Sequence, residues 1–91
     1  MFTVYILESQ KNGRWYIGHT EHMQERLLLH NAGRVRSSAA HIPYVIVHQE
    51  MYEMRSTAIA REMQIKRSGI IRKAIKNRLQ REKNTAPSSN G

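Results

Sequence analysis

Thr3-Val4-Tyr5-Ile6-Leu7, then Lys11-Asn12-Gly13-Arg14, then Trp15-Tyr16-Ile17-Gly18, is the stretch that decides the fold. The first and last runs are β-branched and aromatic, which suits strands. Asn-Gly between them is the strongest short hairpin signal. With Asn12-Gly13 as a two-residue turn, Lys11 lies opposite Arg14, Tyr5 opposite Thr20 and Tyr16 opposite Ser9. Side chains alternate along a strand, so this pairing puts both phenols on one face of the hairpin. A longer loop, shifted by two residues in register, would keep that face and bring the phenols closer.

Working outward, Thr20 is an N-cap candidate and Glu21 suits a first helical turn. Met23, Leu27 and Leu28 then form an apolar helical stripe, and Gly33 is its stop. His22, Arg26 and His30 recur every four residues and share one face beside that stripe. A loop from Gly33 to Ile42 starts basic, with Arg34 and Arg36, and continues small, from Ser37 to Ala40. Pro43 opens a third strand, Tyr44 to Met51. Its start, Tyr44-Val45-Ile46-Val47, is apolar without alternation and predicts cover on both faces. Ser56 is the N-cap candidate of a second helix reaching about Arg67, with Ala58, Ile59 and Met63 inward. Ser68-Gly69 breaks it. Ile70 to Lys83 reads as a third helix with Ile71, Ala74, Ile75 and Leu79 inward. The order β-β-α-β-α-α predicts an α+β fold, a small three-stranded antiparallel sheet flanked by helices. One domain over 1–83 is expected, with a disordered tail over 84–91, which is rich in Pro, Ser and Asn.

Composition narrows the chemistry. Ninety-one residues allow one small domain. Fifteen Lys and Arg against seven acids give a net charge of +8, which favours a polyanionic partner. With no Cys, a disulfide scaffold and a thiol nucleophile are excluded. The N-terminal apolar run is too short for a signal peptide, and nothing approaches a membrane span, so the chain is read as soluble and cytoplasmic. From Lys66 to Lys83 the chain is strongly basic, with Glu82 the one acid. Lys66, Arg72, Lys73 and Lys76, together with Arg34 and Arg36, are the candidate nucleic-acid contacts; the plainer reading is a solvated face. A membrane-surface helix would need an aromatic apolar face that this segment lacks.

Five ordered motifs carry a resemblance: Val-Tyr-Ile-Leu, Tyr-Ile-Gly-His-Thr, Glu-Arg-Leu-x-x-His-Asn-x-Gly, His-x-Pro before a strand, and Ala-x-Ala-Arg-Glu-x-Gln-Ile-Lys. Over Phe2 to Leu79 the chain resembles the GIY-YIG nuclease superfamily, in particular its small stand-alone members. Thr3-Val4-Tyr5 stands where the family's first Gly-Ile-Tyr stands and keeps the tyrosine. Ser37-Ser38-Ala39-Ala40 stands where relatives often carry a basic residue. The resemblance implies a metal-dependent phosphodiesterase acting on nucleic acid, DNA first. Its catalytic residues would be Tyr5, Tyr16, Arg26, His30 and Glu62, with Glu62 holding the metal. His41 and Asn77 stand where relatives carry further polar residues.

The residue types suit that chemistry. A two-metal site needs several clustered carboxylates, and this chain has no Asp and scattered Glu. One Mg²⁺ or Mn²⁺ on Glu62, with a water-rich shell, fits better. A phenol has a pKa of about 10 and needs a cation or metal-bound water beside it to act as a base. Tyr5 is the first choice for that role, Tyr16 for orienting water or phosphate. Arg26 offers an always-charged fork to the phosphate, and His30 a hydrogen bond or proton assistance. Each residue also has an ordinary reading. The tyrosines could be core aromatics, His30 a helix-end cation, and Glu62 half of an i,i+4 ion pair with Lys66. His19 and His22 have no further ligand set that would support zinc. The substrate expected is DNA of branched, nicked or otherwise unusual structure, as repair or recombination would present. So small a domain would need a partner protein or a homodimer for strong site specificity. The alternatives are a non-catalytic nucleic-acid-binding module and a nuclease subunit that needs its partner.

Overall fold

The computed structural model describes residues 1–85. The elements are β1 (Phe2–Ser9), β2 (Trp15–Thr20), α1 (Met23–Asn31), a 3₁₀ segment (Arg36–His41), β3 (Tyr44–Tyr52), α2 (Arg55–Arg67) and α3 (Gly69–Thr85). The sheet is antiparallel with the order β2-β1-β3. This is the α+β architecture that the sequence predicts. No helix of the described residues is long and apolar enough to cross a membrane.

The central strand is β1, and its composition explains why. Thr3 to Leu7 is buried without interruption, as a strand covered on both faces requires. The same reading of Tyr44-Val45-Ile46-Val47 is corrected here. Strand β3 lies at the sheet edge, and Val45 is 42% exposed. Apolar runs alone do not say which strand is central; pairing does.

The two faces of β1 have different covers. Val4 and Ile6 pack under α2 and α3, with Ala58, Ile65 and Ile75. Tyr5 and Leu7 pack under α1, with Tyr16, Met23, Leu27 and Tyr44. Several inward expectations on the helices fail. Leu28 is 70% exposed, and Ile59, Met63 and Ala74 face outward. Ile65 is the buried residue of the lower half of α2.

The hairpin takes the longer loop. Tyr5 pairs with Gly18 and Leu7 with Tyr16, a shift of two residues from a two-residue turn. Ser9 causes it. Its hydroxyl accepts the amides of Lys11 and Asn12 at 3.0 and 3.2 Å, and its carbonyl accepts that of Gly13 at 2.8 Å. Gly13 sits at φ +78°, where a side chain would be strained.

On the α2/α3 face, Glu50 of β3 ties the layers together. Arg61 grips it with Nε and Nη2 at 2.8 and 3.1 Å, and Tyr52 and His48 donate to it at 2.5 and 2.7 Å. Arg78 of α3 donates to the other nitrogen of His48 at 2.8 Å. The last helix runs through Asn84 to Thr85, beyond the expected end at Lys83, because no Gly or Pro follows Gly69 within it. The remainder of the expected tail, 86–91, lies outside the described residues.

Candidate active site

Both phenols lie on the α1 face, as their spacing predicts. Their ring centroids are 6.4 Å apart and the planes differ by 21°. The close register has a steric requirement. Tyr5 lies across Gly18, and a Cβ at Gly18 would stand 2.6 Å from the Tyr5 hydroxyl and 2.8 Å from Cζ. The glycine after Tyr16-Ile17 is thus the floor on which the first tyrosine rests.

Helix α1 brings Arg26 and His30 to the same place. It ends at Gly33, which has φ +75°. The Gly33 amide bonds the His30 carbonyl and the Arg34 amide that of Leu29, each at 3.0 Å, a Schellman closure that reverses the chain. Asn31 fastens the helix to β3 by bonding the amide and carbonyl of Tyr44 at 2.7 and 3.1 Å. The reversed chain returns Ser38 beside His30, and both side chains are fully buried.

One direction of donation satisfies every group in this cluster. The Ser38 hydroxyl donates to the Val35 carbonyl at 3.3 Å and accepts from His30 Nδ1 at 2.7 Å. His30 Nε2 then accepts the Tyr5 hydroxyl proton at 3.2 Å, and Arg26 Nε points to the Tyr5 oxygen at 3.5 Å. Burial, and then the charge of Arg26, push the His30 pKa below its usual value, so the imidazole is neutral. Burial raises the Tyr5 pKa against the pull of Arg26, so the phenol keeps its proton. Tyr16 is half-buried and packs edge-on to His30, centroids 4.6 Å apart.

Glu62 comes from the other layer. Its Oε1 is 2.5 Å from His19 Nδ1 and its Oε2 is 2.6 Å from Lys66 Nζ. Burial alone would raise its pKa, but Lys66 and then His19 hold it below the usual value, so the carboxylate is ionised at neutral pH. Its charge is felt at the Tyr5 phenol, which it raises. The two halves meet around the free edge of β2. A groove of about 500 Å³ there is lined by Tyr16, Ser37, Lys66, Arg72, Lys76 and Trp15. Among the described residues, no three His, Cys, Asp or Glu cluster as a metal cage. An ionised, 13% exposed carboxylate whose ion-pair partner Lys66 lines such a groove suits one divalent ion held mainly by waters and substrate.

The remaining candidates separate. His41 sits at the hairpin tip: its Nδ1 accepts from Asn12 at 2.9 Å and its carbonyl from Ser9 at 2.6 Å. Asn77 is exposed on α3. Arg34, Arg36 and Lys73 are exposed. Arg72 is used within the fold, since its guanidinium bonds the carbonyls of Ile65 and Lys66 at the end of α2. Sequence reasoning missed Ser38 and the pairing of His19 with Glu62. Each partner lies in a different element, and no local pattern signals it.

Comparison with known proteins bears on the family and the fold. The model of the GIY-YIG catalytic domain matches residues 1–69. A UPF0213 protein of Staphylococcus haemolyticus is 38% identical over 64 residues, 69% of this chain and 77% of the relative. Another, from Halobacterium salinarum, is 34% identical over 67 residues, 72% and 86% of the two chains. The solution NMR structure of a UPF0213 protein from Bacillus halodurans superposes with a TM-score of 0.56 at 25% identity, covering 100% of both chains.

Proposed function

The chain belongs to the GIY-YIG family of catalytic domains, a family of generally divalent-metal-dependent nucleases acting on nucleic acid, and from that premise we propose that it is an endonuclease cleaving DNA phosphodiester bonds with one Mg²⁺ or Mn²⁺. The observation that carries this reading is the contact cluster of Tyr5, Tyr16, Arg26 and His30, with an ionised Glu62 near enough for its charge to act on the Tyr5 phenol.

The roles follow from which atoms are already engaged. The Tyr5–His30–Ser38 chain ends at the Val35 carbonyl, so it fixes Tyr5 and leads no proton to solvent. Tyr5 is thereby a positioning residue, and its oxygen in turn orients Arg26. Arg26 directs Nε at Tyr5 and interacts more weakly with the Tyr16 hydroxyl, and its five-donor fork would still offer N–H groups to a phosphate oxygen as charge builds in the transition state. Tyr16, which lines the groove, is assigned the attacking water; this moves the base role from Tyr5 to Tyr16. Glu62 would hold the metal, which supplies Lewis-acid charge and lowers the pKa of a bound water. Unusual DNA structures of the kind met in repair or recombination suit a domain of this size, and a partner protein or homodimer would add site choice.

The test is cleavage of supercoiled plasmid and of labelled duplex, single-stranded, flap and branched DNAs by wild type and Glu62→Gln, purified side by side. Wild type is expected to cleave with Mg²⁺ or Mn²⁺. EDTA and Glu62→Gln should each abolish cleavage while DNA binding survives. Cleavage by Glu62→Gln at the wild-type rate would overturn the assignment. Salt-dependent binding without cleavage by wild type would make the protein a binding module or a subunit awaiting its partner.

A further inference from the structure

Trp15 and Tyr16 are neighbours on β2, so their side chains point to opposite faces of the sheet. Yet both line the same 500 Å³ groove. That groove therefore crosses the free edge of β2, from the phenol face to the α3 face. Three cations, Lys66, Arg72 and Lys76, lie along it; Lys66 is paired with Glu62 and Arg72 is anchored on the end of α2, and Lys76 reaches over Trp15. A larger groove of about 600 Å³ lies beyond Trp15 and Lys76, where Glu8 and Glu82 share the walls with Lys76 and Lys83. Acids offset bases there, so the excess of positive charge ends at Trp15.

The indole is held in place. Its Nε1–H donates to Glu8 Oε2 at 3.2 Å, across the β1–β2 pair. Lys76 Nζ lies over the ring, 4.8 Å from the centroid. A fixed, partly exposed aromatic ring under an exposed cation at the end of a basic groove is the composition of a strand-binding platform.

We propose that Trp15 stacks an unpaired base of the bound strand, with Lys76 leaving the ring to meet the adjoining phosphate. The inference rests on the nucleic-acid reading and adds a specificity residue to it. A base stacks on an indole more strongly than an exposed ammonium does, so the exchange favours the bound state. Duplex DNA offers no free base face except at its ends, so the platform selects substrates with unpaired nucleotides.

Trp15 is the one tryptophan of the chain, so intrinsic fluorescence reports on it directly. Wild type in EDTA, where no cleavage occurs, would be titrated with a thymidine octamer, an octamer of abasic tetrahydrofuran nucleotides, and a blunt duplex. Binding would be followed independently by anisotropy of end-labelled strands. The thymidine octamer should quench Trp15 and bind about tenfold more tightly than the abasic one. Trp15→Phe should keep that ratio and Trp15→Leu, which preserves apolar packing, should bring it to one, with both variants folded by circular dichroism. Binding of the thymidine octamer without quenching, or equal affinity for the abasic strand, would overturn the platform. Binding of duplex alone would overturn it too, while leaving the nuclease reading intact. No binding of any of the three would bring down both.

Discussion

At the scale of single residues, Gly18 decides more than its size suggests. It stands opposite Tyr5, and the Tyr5 ring occupies the space a Cβ would fill. Gly18→Ala should therefore cost about 1–3 kcal/mol of stability by overpacking, measured by urea unfolding, and should suppress cleavage by tilting Tyr5 away from Arg26. Wild-type stability and activity in that variant would show that the ring does not rest there. The sequence could reveal that Tyr5 and Tyr16 share a face, because parity along strands is a local rule. It could reveal Arg26 and His30 as neighbours on one helix. It could not reveal that His30 is buried and neutral, since that depends on Ser38, which arrives through the turn at Gly33 and the 3₁₀ segment. A histidine near a helix end reads equally well as an exposed cation; only tertiary burial separates the two.

At the scale of elements, α2 presents Glu62 and Lys66 one turn apart, and the ordinary ion-pair reading and the metal reading describe the same carboxylate. Both of its oxygens are engaged, one by Lys66 and one by His19. On the proposed metal reading, a divalent ion would share or displace that lysine. Lys66→Met should tighten Mn²⁺ binding by roughly three- to tenfold, since a competing positive charge is removed from the site. Calorimetric titration would measure it, and unchanged or weaker affinity would show that Lys66 does not compete. The order of elements was legible because each has its own signal: Asn12-Gly13, the stop at Gly33, Pro43, and the break at Ser68-Gly69. The centrality of β1 was not, because β1 and β3 are both apolar and sheet order is a long-range property. The hairpin register was half legible. Its face followed from parity, but the choice of loop depended on the Ser9 side chain capturing two amides.

At the scale of the molecule, two layers of helices are pinned to the sheet, and Glu50 is the fastening on the α2/α3 side. Burial would raise its pKa, but hydrogen bonds from Arg61, Tyr52 and His48 bring it from 4.5 to about 2. A carboxyl whose folded pKa is depressed stabilises the fold fully above its unfolded value. That stabilisation is lost as pH falls from 4.5 through about 2. Its full size is on the order of 3 kcal/mol, a large share of the stability of so small a domain. Acid unfolding of wild type should steepen across that window, and Glu50→Gln, weaker at neutral pH, should show a flatter profile. Identical profiles would remove Glu50 from the account. On the other side of the sheet, the anchor of the candidate site is Tyr5 on β1, the strand hydrogen-bonded along both edges and sealed on both faces. Amide protons of such a strand exchange with solvent only when the whole domain opens. Evolution cannot then adjust this chemistry on a disposable loop, because the Tyr5 anchor is also a beam of the fold. Variation in substrate preference has to accumulate where the scaffold is indifferent, along the outer edge of β2 and the exposed turns of α3.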